Sequence, residues 1–235
     1  MCSSDLTTWL ASGEITPEDP VPMEFVGEFL KFVTMHEVGH TLGLRPNFRG
    51  STDTPMSKLH DKVWTGTNGV VNSVMEYPAP NIQSDGGPNG HYYTTTVGTY
   101  DKWAIAFGYT PDPRRAEELA RQGAQDGNVY ATDEDARGRG ALDPTVNVWD
   151  LGDDPLAWSM DRCALIHSLW GRLPQQVLYD NQPHYELTDA LSTLLVNYAR
   201  SLAPAVKYLG GQEVNRDHVG DPRSEEHTSE LQSQF

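Results

Sequence analysis

Two imidazoles and a carboxylate fall within five residues of this chain, in the run His36-Glu37-Val38-Gly39-His40. On a helix of 3.6 residues per turn, positions four apart project from one face, so the two rings can share one metal ion. Glu37 is rotated off that pair, where a carboxylate can hold a water and take its proton. The chemistry of such a set is metal-assisted hydrolysis. Gly43 lies three residues beyond His40, where a left-handed residue ends a helix and reverses the chain. Three residues further on stands Pro46, which has no side-chain donor atom.

A second run, Ser73-Val74-Met75-Glu76-Tyr77, follows downstream. Together the two runs resemble the metzincins, whose pattern is H-E-x-x-H-x-x-G-x-x-H followed by a Met-turn. From about Pro22 to Pro222 the chain is similar to bacterial metzincin-like proteases with an EcxA-type zinc-binding domain. The segments that carry the resemblance are HEVGHTLGLRPNF, SVMEYPAPNI, VGTYDKWAIAFGY, DEDARGRGALDPTVNVWDLGDDPLAW and YLGGQEVNRDH.

The resemblance implies an α+β metzincin (zincin-like) catalytic domain, present here as its active-site helix and C-terminal part. That part is expected to be mostly helix and loop, followed by a helical extension. It also implies Zn2+ held by His36 and His40, with Glu37 as general base. Met75 would form an apolar floor beneath the metal, and Tyr77 would steady the tetrahedral intermediate. A peptide or protein substrate and a secreted or cell-envelope location follow from the same likeness.

Members of that family usually read Leu-Arg-His-Asn-Phe after the glycine, so the third-ligand position is lost at Pro46. Catalytic zinc generally takes three protein ligands plus water. Two readings therefore stand side by side. One is a fragment of a zinc-dependent metalloendopeptidase. The other is a catalytically impaired pseudoenzyme that keeps the scaffold for binding. A third, a helical structural module with a coincidental motif, is opposed by the Met-turn. None of His60, His91, His167, His184 and His218 stands at a third-ligand spacing, and nothing singles out Asp53.

Composition narrows the partners. The formal net charge of −16 opposes nucleic acid, whose phosphates would be repelled. No apolar run is long enough to span a membrane. Residues 1–6 and 223–235 read as translated sequencing adapter, on the strings CSSDL and RSEEHTSELQS, and are set apart from fold reasoning. This leaves Cys163 without a partner for a disulfide. The expected division is 7–110 for the C-terminal part of the protease domain and 111–222 for the helical extension. The segment before Met23 is too short for the sheet on which metzincins lay their substrate, so residues 7–222 alone are expected to show little proteolysis.

The elements that must position these residues follow from pattern. Phe25, Phe29, Phe32, His36 and His40 form one stripe, predicting a helix over about 23–42. Breakers at Gly50, Pro55, Gly66 and Gly69 predict loop over most of 45–72. A short helix is expected over 99–107, closed by Gly108 and packed under the Met-turn through Trp103 and Phe107, with contact of Tyr100 or Asp101 to the site as the alternative. A surface helix is expected over 114–125. The acidic stretch from Asp133 to Asp154 reads as caps and turns, or as oxygen ligands for calcium. Longer helices are expected over about 155–170, with Asp154 and Pro155 as Ncap and N1, and over 185–208, kinked at Pro204.

Overall fold

The computed structural model describes residues 22–84, 87–123, 125–138, 141–178 and 183–214. The two segments read as adapter, residues 7–21 and the Arg216-Asp217-His218 run lie outside those residues.

Helix α1 (Met23–Thr41) buries Phe25, Glu28, Phe32, His36 and Gly39, one face at spacings of three and four. Phe25 and Phe32 pack with Tyr93, Phe25 meeting its ring edge-on at 5.6 Å. Glu28 is the polar member of that face. It accepts from the backbone N–H groups of Tyr92 and Tyr93 at 2.6 and 3.2 Å and meets His91 Nδ1 at 2.5 Å. One carboxylate thereby fastens the 91–93 segment along the helix.

The α1 C-terminus closes as a Schellman motif. Gly43 adopts φ +85°, Gly43 N–H donates to His40 O at 3.0 Å, and Leu44 N–H donates to Gly39 O at 3.0 Å. The left-handed glycine turns the chain so that Asn47 N–H reaches Met75 O at 3.0 Å. The loop carrying Pro46 is thus stitched directly to the 73–77 turn.

The segment expected to be mostly loop holds a 3-10 turn, Met56–Lys58, and helix α2 (Lys62–Asn68). Asp61 caps α2 by accepting from Val63 N–H and Trp64 N–H at 3.1 and 3.0 Å. Helix α3 (Thr99–Tyr109) runs through Gly108 rather than stopping there. Helix α4 (Pro113–Ala120) has Asp112 as its cap and is shorter than expected. Helix α5 (Asp133–Ala136) is a single turn. In helix α6 (Pro155–Trp170), Asp154 caps by accepting from Ala157 N–H at 2.9 Å, with Pro155 in the first turn. Helix α7 (Leu173–Val177) leads to α8 (Tyr185–Lys207), which continues through Pro204.

The helical and loop character of the expected fold is observed. No β-strand occurs among the described residues, so the sheet of an α+β class is not part of what they form. Their helices include none long and apolar enough to cross a membrane.

Residues on either side of position 111 share their cores. Leu59, Val70, Val71 and Ala79 pack with Leu151 and Trp158. Phe48 packs with Ala131 and Val146, and Ile82 joins the α6–α8 cluster of Leu165, Ile166, Leu169, Leu173 and Leu194. The helical extension is therefore packed onto the segment that carries the two motifs. Backbone bonds reinforce this, with Phe48 N–H donating to Ala131 O at 2.7 Å and Asn147 N–H to Phe48 O at 3.1 Å.

Candidate metal centre

Helix α1 presents the rings of His36 and His40 side by side, centroids 4.7 Å apart and nearly perpendicular. Each ring is held through Nδ1. His36 Nδ1 lies 2.7 Å from Val74 O, and His40 Nδ1 lies 3.0 Å from Leu44 O. A carbonyl can only accept, so both Nδ1 atoms carry the proton and both Nε2 lone pairs are left for a metal. In metal sites, an Nδ1–H···carbonyl bond of this kind fixes a ligand's tautomer and orientation. Burial pushes the His36 pKa below its ordinary value, with the Val74 carbonyl opposing and the neighbouring His40 adding to the fall. A neutral imidazole is the metal-binding form.

His36 is buried, whereas His40 and Glu37 are exposed. The pair thus stands at the edge of the core with one side open to solvent. Tyr77 is half-buried beside the pair, its ring 5.2 Å from that of His36. Tyr77 also packs edge-on against Phe48 at 5.2 Å and lies 6.3 Å from Trp149.

Met75 is fully buried and its thioether lies against the backbone of Gly39. Gly39 sits between the two histidines on the buried face of α1, and a β-carbon there would collide with Met75 Sδ. The contact between α1 and the 73–77 turn is therefore a methionine received by a glycine. The sequence stretch contained that glycine, but nothing about its local setting distinguished it.

The turn at 73–77 is fixed by Asp101, which is buried at the start of α3. Its carboxylate accepts from Ser73 Oγ at 2.7 Å, Val74 N–H at 2.8 Å and Gly98 N–H at 3.0 Å. Ser73 Oγ in turn accepts from Met75 N–H at 3.0 Å. Because Val74 O holds His36, Asp101 supports the first histidine through one residue. Trp103 and Phe107, the residues expected under the Met-turn, lie elsewhere. Trp103 donates to Leu119 O at 2.8 Å and stacks on Phe107, which is exposed. Charge and hydrogen bonding, rather than aromatic packing, hold this turn.

Two further buried carboxyls lie behind Tyr77. Glu76 accepts from Ser51 N–H at 3.2 Å and from Tyr77 N–H at 2.9 Å. Asp150 accepts from Ser51 Oγ at 3.3 Å and from Asn147 Nδ2 at 3.4 Å, and its other oxygen has no partner. Burial lifts Glu76 well above the ordinary carboxylate range, and the nearby Asp150 adds to the rise. Burial likewise lifts Asp150 to about 6, against the opposing pull of Ser51, Asn147 and Lys207.

Among the described residues, no His, Cys, Asp or Glu completes a set of three adjacent donors with His36 and His40. Such a set is formed by Glu24, Glu28 and His91, at the far end of α1. There Lys62 Nζ occupies Glu24 at 2.5 Å and backbone N–H groups occupy Glu28, so the group reads as an anchor. The acidic stretch from Asp133 to Asp154 forms no three-donor set either. Asp135 accepts from Thr132 N–H, Asp143 from Thr145 and Val214, and Asp153 from Met56 N–H. Those residues act as caps and loop fasteners.

The donor chemistry fits zinc at two of the three protein positions that a catalytic site uses, both of them imidazole. No curated protein and no solved structure matches the chain. The family described as Met-zincin matches residues 18–234, nearly the whole length. The chain belongs to the Met-zincin family of zinc-metalloprotease-like proteins.

Proposed function

We propose that the chain is a zinc-dependent metalloendopeptidase fragment in which Pro46 has reduced the metal site to two histidines. The observation that carries this reading is the pair of rings at 4.7 Å with both Nδ1 atoms committed to carbonyls. Zinc supplies Lewis acidity, polarising a scissile carbonyl and acidifying water. His36 and His40 would hold it through Nε2. Glu37, exposed beside the pair, would accept a proton from the attacking water and return it to the leaving amine. The Tyr77 hydroxyl would donate to the oxyanion as it forms. Peptides or proteins are the substrates this chemistry suits, and the secreted or envelope location rests on the family likeness.

The absence of a donor at position 46 favours a second reading, a pseudoenzyme that keeps the cleft for binding. Zinc uptake by the full chain, with His36→Ala and His40→Ala as controls, tests the metal site common to both readings. Peptide-bond hydrolysis by a version extended to include the substrate-binding sheet, with Pro46 against Pro46→His, separates them. The peptidase reading expects Pro46→His to raise chelator-sensitive hydrolysis at least tenfold, on the order of a restored ligand or second-shell partner. Zinc binding with equally absent hydrolysis in both proteins would favour the binding role.

A further inference from the structure

Trp149 has φ +72°, the one positive φ outside glycine among the described residues. For a bulky side chain this conformation costs roughly 1–2 kcal/mol and persists only where surrounding contacts over-determine it. Here Trp149 N–H donates to Tyr77 O at 2.9 Å, and the next residue, Asp150, is fully buried against Ser51 and Asn147. The outcome is an indole left 39% exposed beside the candidate site. With Tyr77 between them, the Trp149 and His36 rings lie within about 12 Å of each other, roughly three residues of extended peptide.

Arg200, from α8, lays its guanidinium over this ring, Cζ 5.7 Å from the centroid. The side chain is exposed, and among the described residues no carboxylate lies within ion-pair distance of it. Stacking occupies the face of a guanidinium and leaves its N–H edge for planar, two-point contact with a carboxylate.

We propose that Trp149 and Arg200 form a specificity subsite that binds a carboxylate of a peptide substrate about three residues from the metal. This rests on the peptidase-like reading of the site and deepens it. An Asp or Glu side chain and a peptide C-terminus offer the same carboxylate chemistry.

Fluorescence anisotropy of the full chain with labelled alanine-based octapeptides tests the subsite without requiring turnover. One peptide carries a central Glu and an amidated end, one a central Gln and a free end, and one a central Gln and an amidated end. At least one carboxylate-bearing peptide should bind about three- to tenfold tighter than the neutral one, the range for a charge-assisted contact at a part-exposed site. The tighter arm names the source. Arg200→Ala should erase the difference, and Arg200→Glu should invert it towards a central-Lys peptide. Trp149→Gly should erase it while relieving the backbone strain, leaving thermal stability equal or higher. Equal affinities, no binding of any peptide, or discrimination retained in Arg200→Ala would overturn the subsite. Zinc uptake measured on the same samples keeps the two ideas apart: discrimination without zinc sinks the metal reading alone, and zinc without discrimination sinks the subsite alone.

Discussion

The sulfur of Met75 fills the space that a β-carbon on Gly39 would need, between the two histidines of α1. The helix and the Met-turn therefore meet by backbone against thioether, and the distance between them is set by the absence of one methyl group. Gly39→Ala should push Met75 and its turn away from α1. Overpacking of this kind costs about 1–3 kcal/mol. Urea unfolding should show that loss, and zinc affinity should fall with it. A Gly39→Ala chain with unchanged stability and zinc affinity would show that the contact is loose.

Asp101 organises the Met-turn with three accepted hydrogen bonds. Asp101→Ala strands the Ser73 hydroxyl and two buried N–H groups, a loss of roughly 2–4 kcal/mol. Asp101→Asn keeps one acceptor and should recover part of it. Because Val74 joins Asp101 to His36, the Asn variant should also bind zinc about 10–100-fold more weakly, as second-shell losses do. Wild-type zinc affinity in a well-folded Asp101→Asn chain would contradict this coupling.

Glu76 and Asp150 predict an unusual pH response. Lys207 and Asp143 face the same region; Lys207 Nζ donates to Val146 O and is held below its ordinary pKa by burial. Asp150 moves from 3.8 to about 6, so the folded state holds its proton more tightly than the unfolded state does. The associated stability is fully present below pH 4 and is lost as pH rises through 6, a change of about 3 kcal/mol. Asp150→Asn, which mimics the protonated acid, should flatten this slope between pH 4 and 6 and raise stability at pH 8. Denaturant titrations at those pH values check it; an unaltered slope in Asp150→Asn would remove Asp150 as the source.

What the sequence made legible was local. The α1 stripe, the reversal at Gly43 and the Asp154–Pro155 helix start each depend on residues within one or two turns, and their patterns survive folding. The Asp61 cap of α2 was also local, but glycines at 66 and 69 masked it. Asp101 was legible only as an alternative contact of its helix, and Gly39 and the Glu76–Asp150 pair not at all, because each acts on a partner at least 27 positions away. A lone aspartate in the first turn of a helix looks like a cap from the sequence. Its work as an anchor for a distant turn exists only in the packed chain. Position 46 was legible as chemistry and Trp149 was not, since its left-handed backbone is imposed by the Tyr77 carbonyl and the buried Asp150.

The central claim is a zinc site built from two imidazoles. X-ray absorption at the zinc edge, on the full chain loaded with one equivalent, counts those ligands directly. Two imidazole nitrogens at about 2.0 Å are expected in the wild-type chain, and three in Pro46→His. Both signals should vanish in the His36→Ala, His40→Ala double variant. A sulfur ligand, an imidazole count other than two, or a spectrum that survives the double variant would contradict the account.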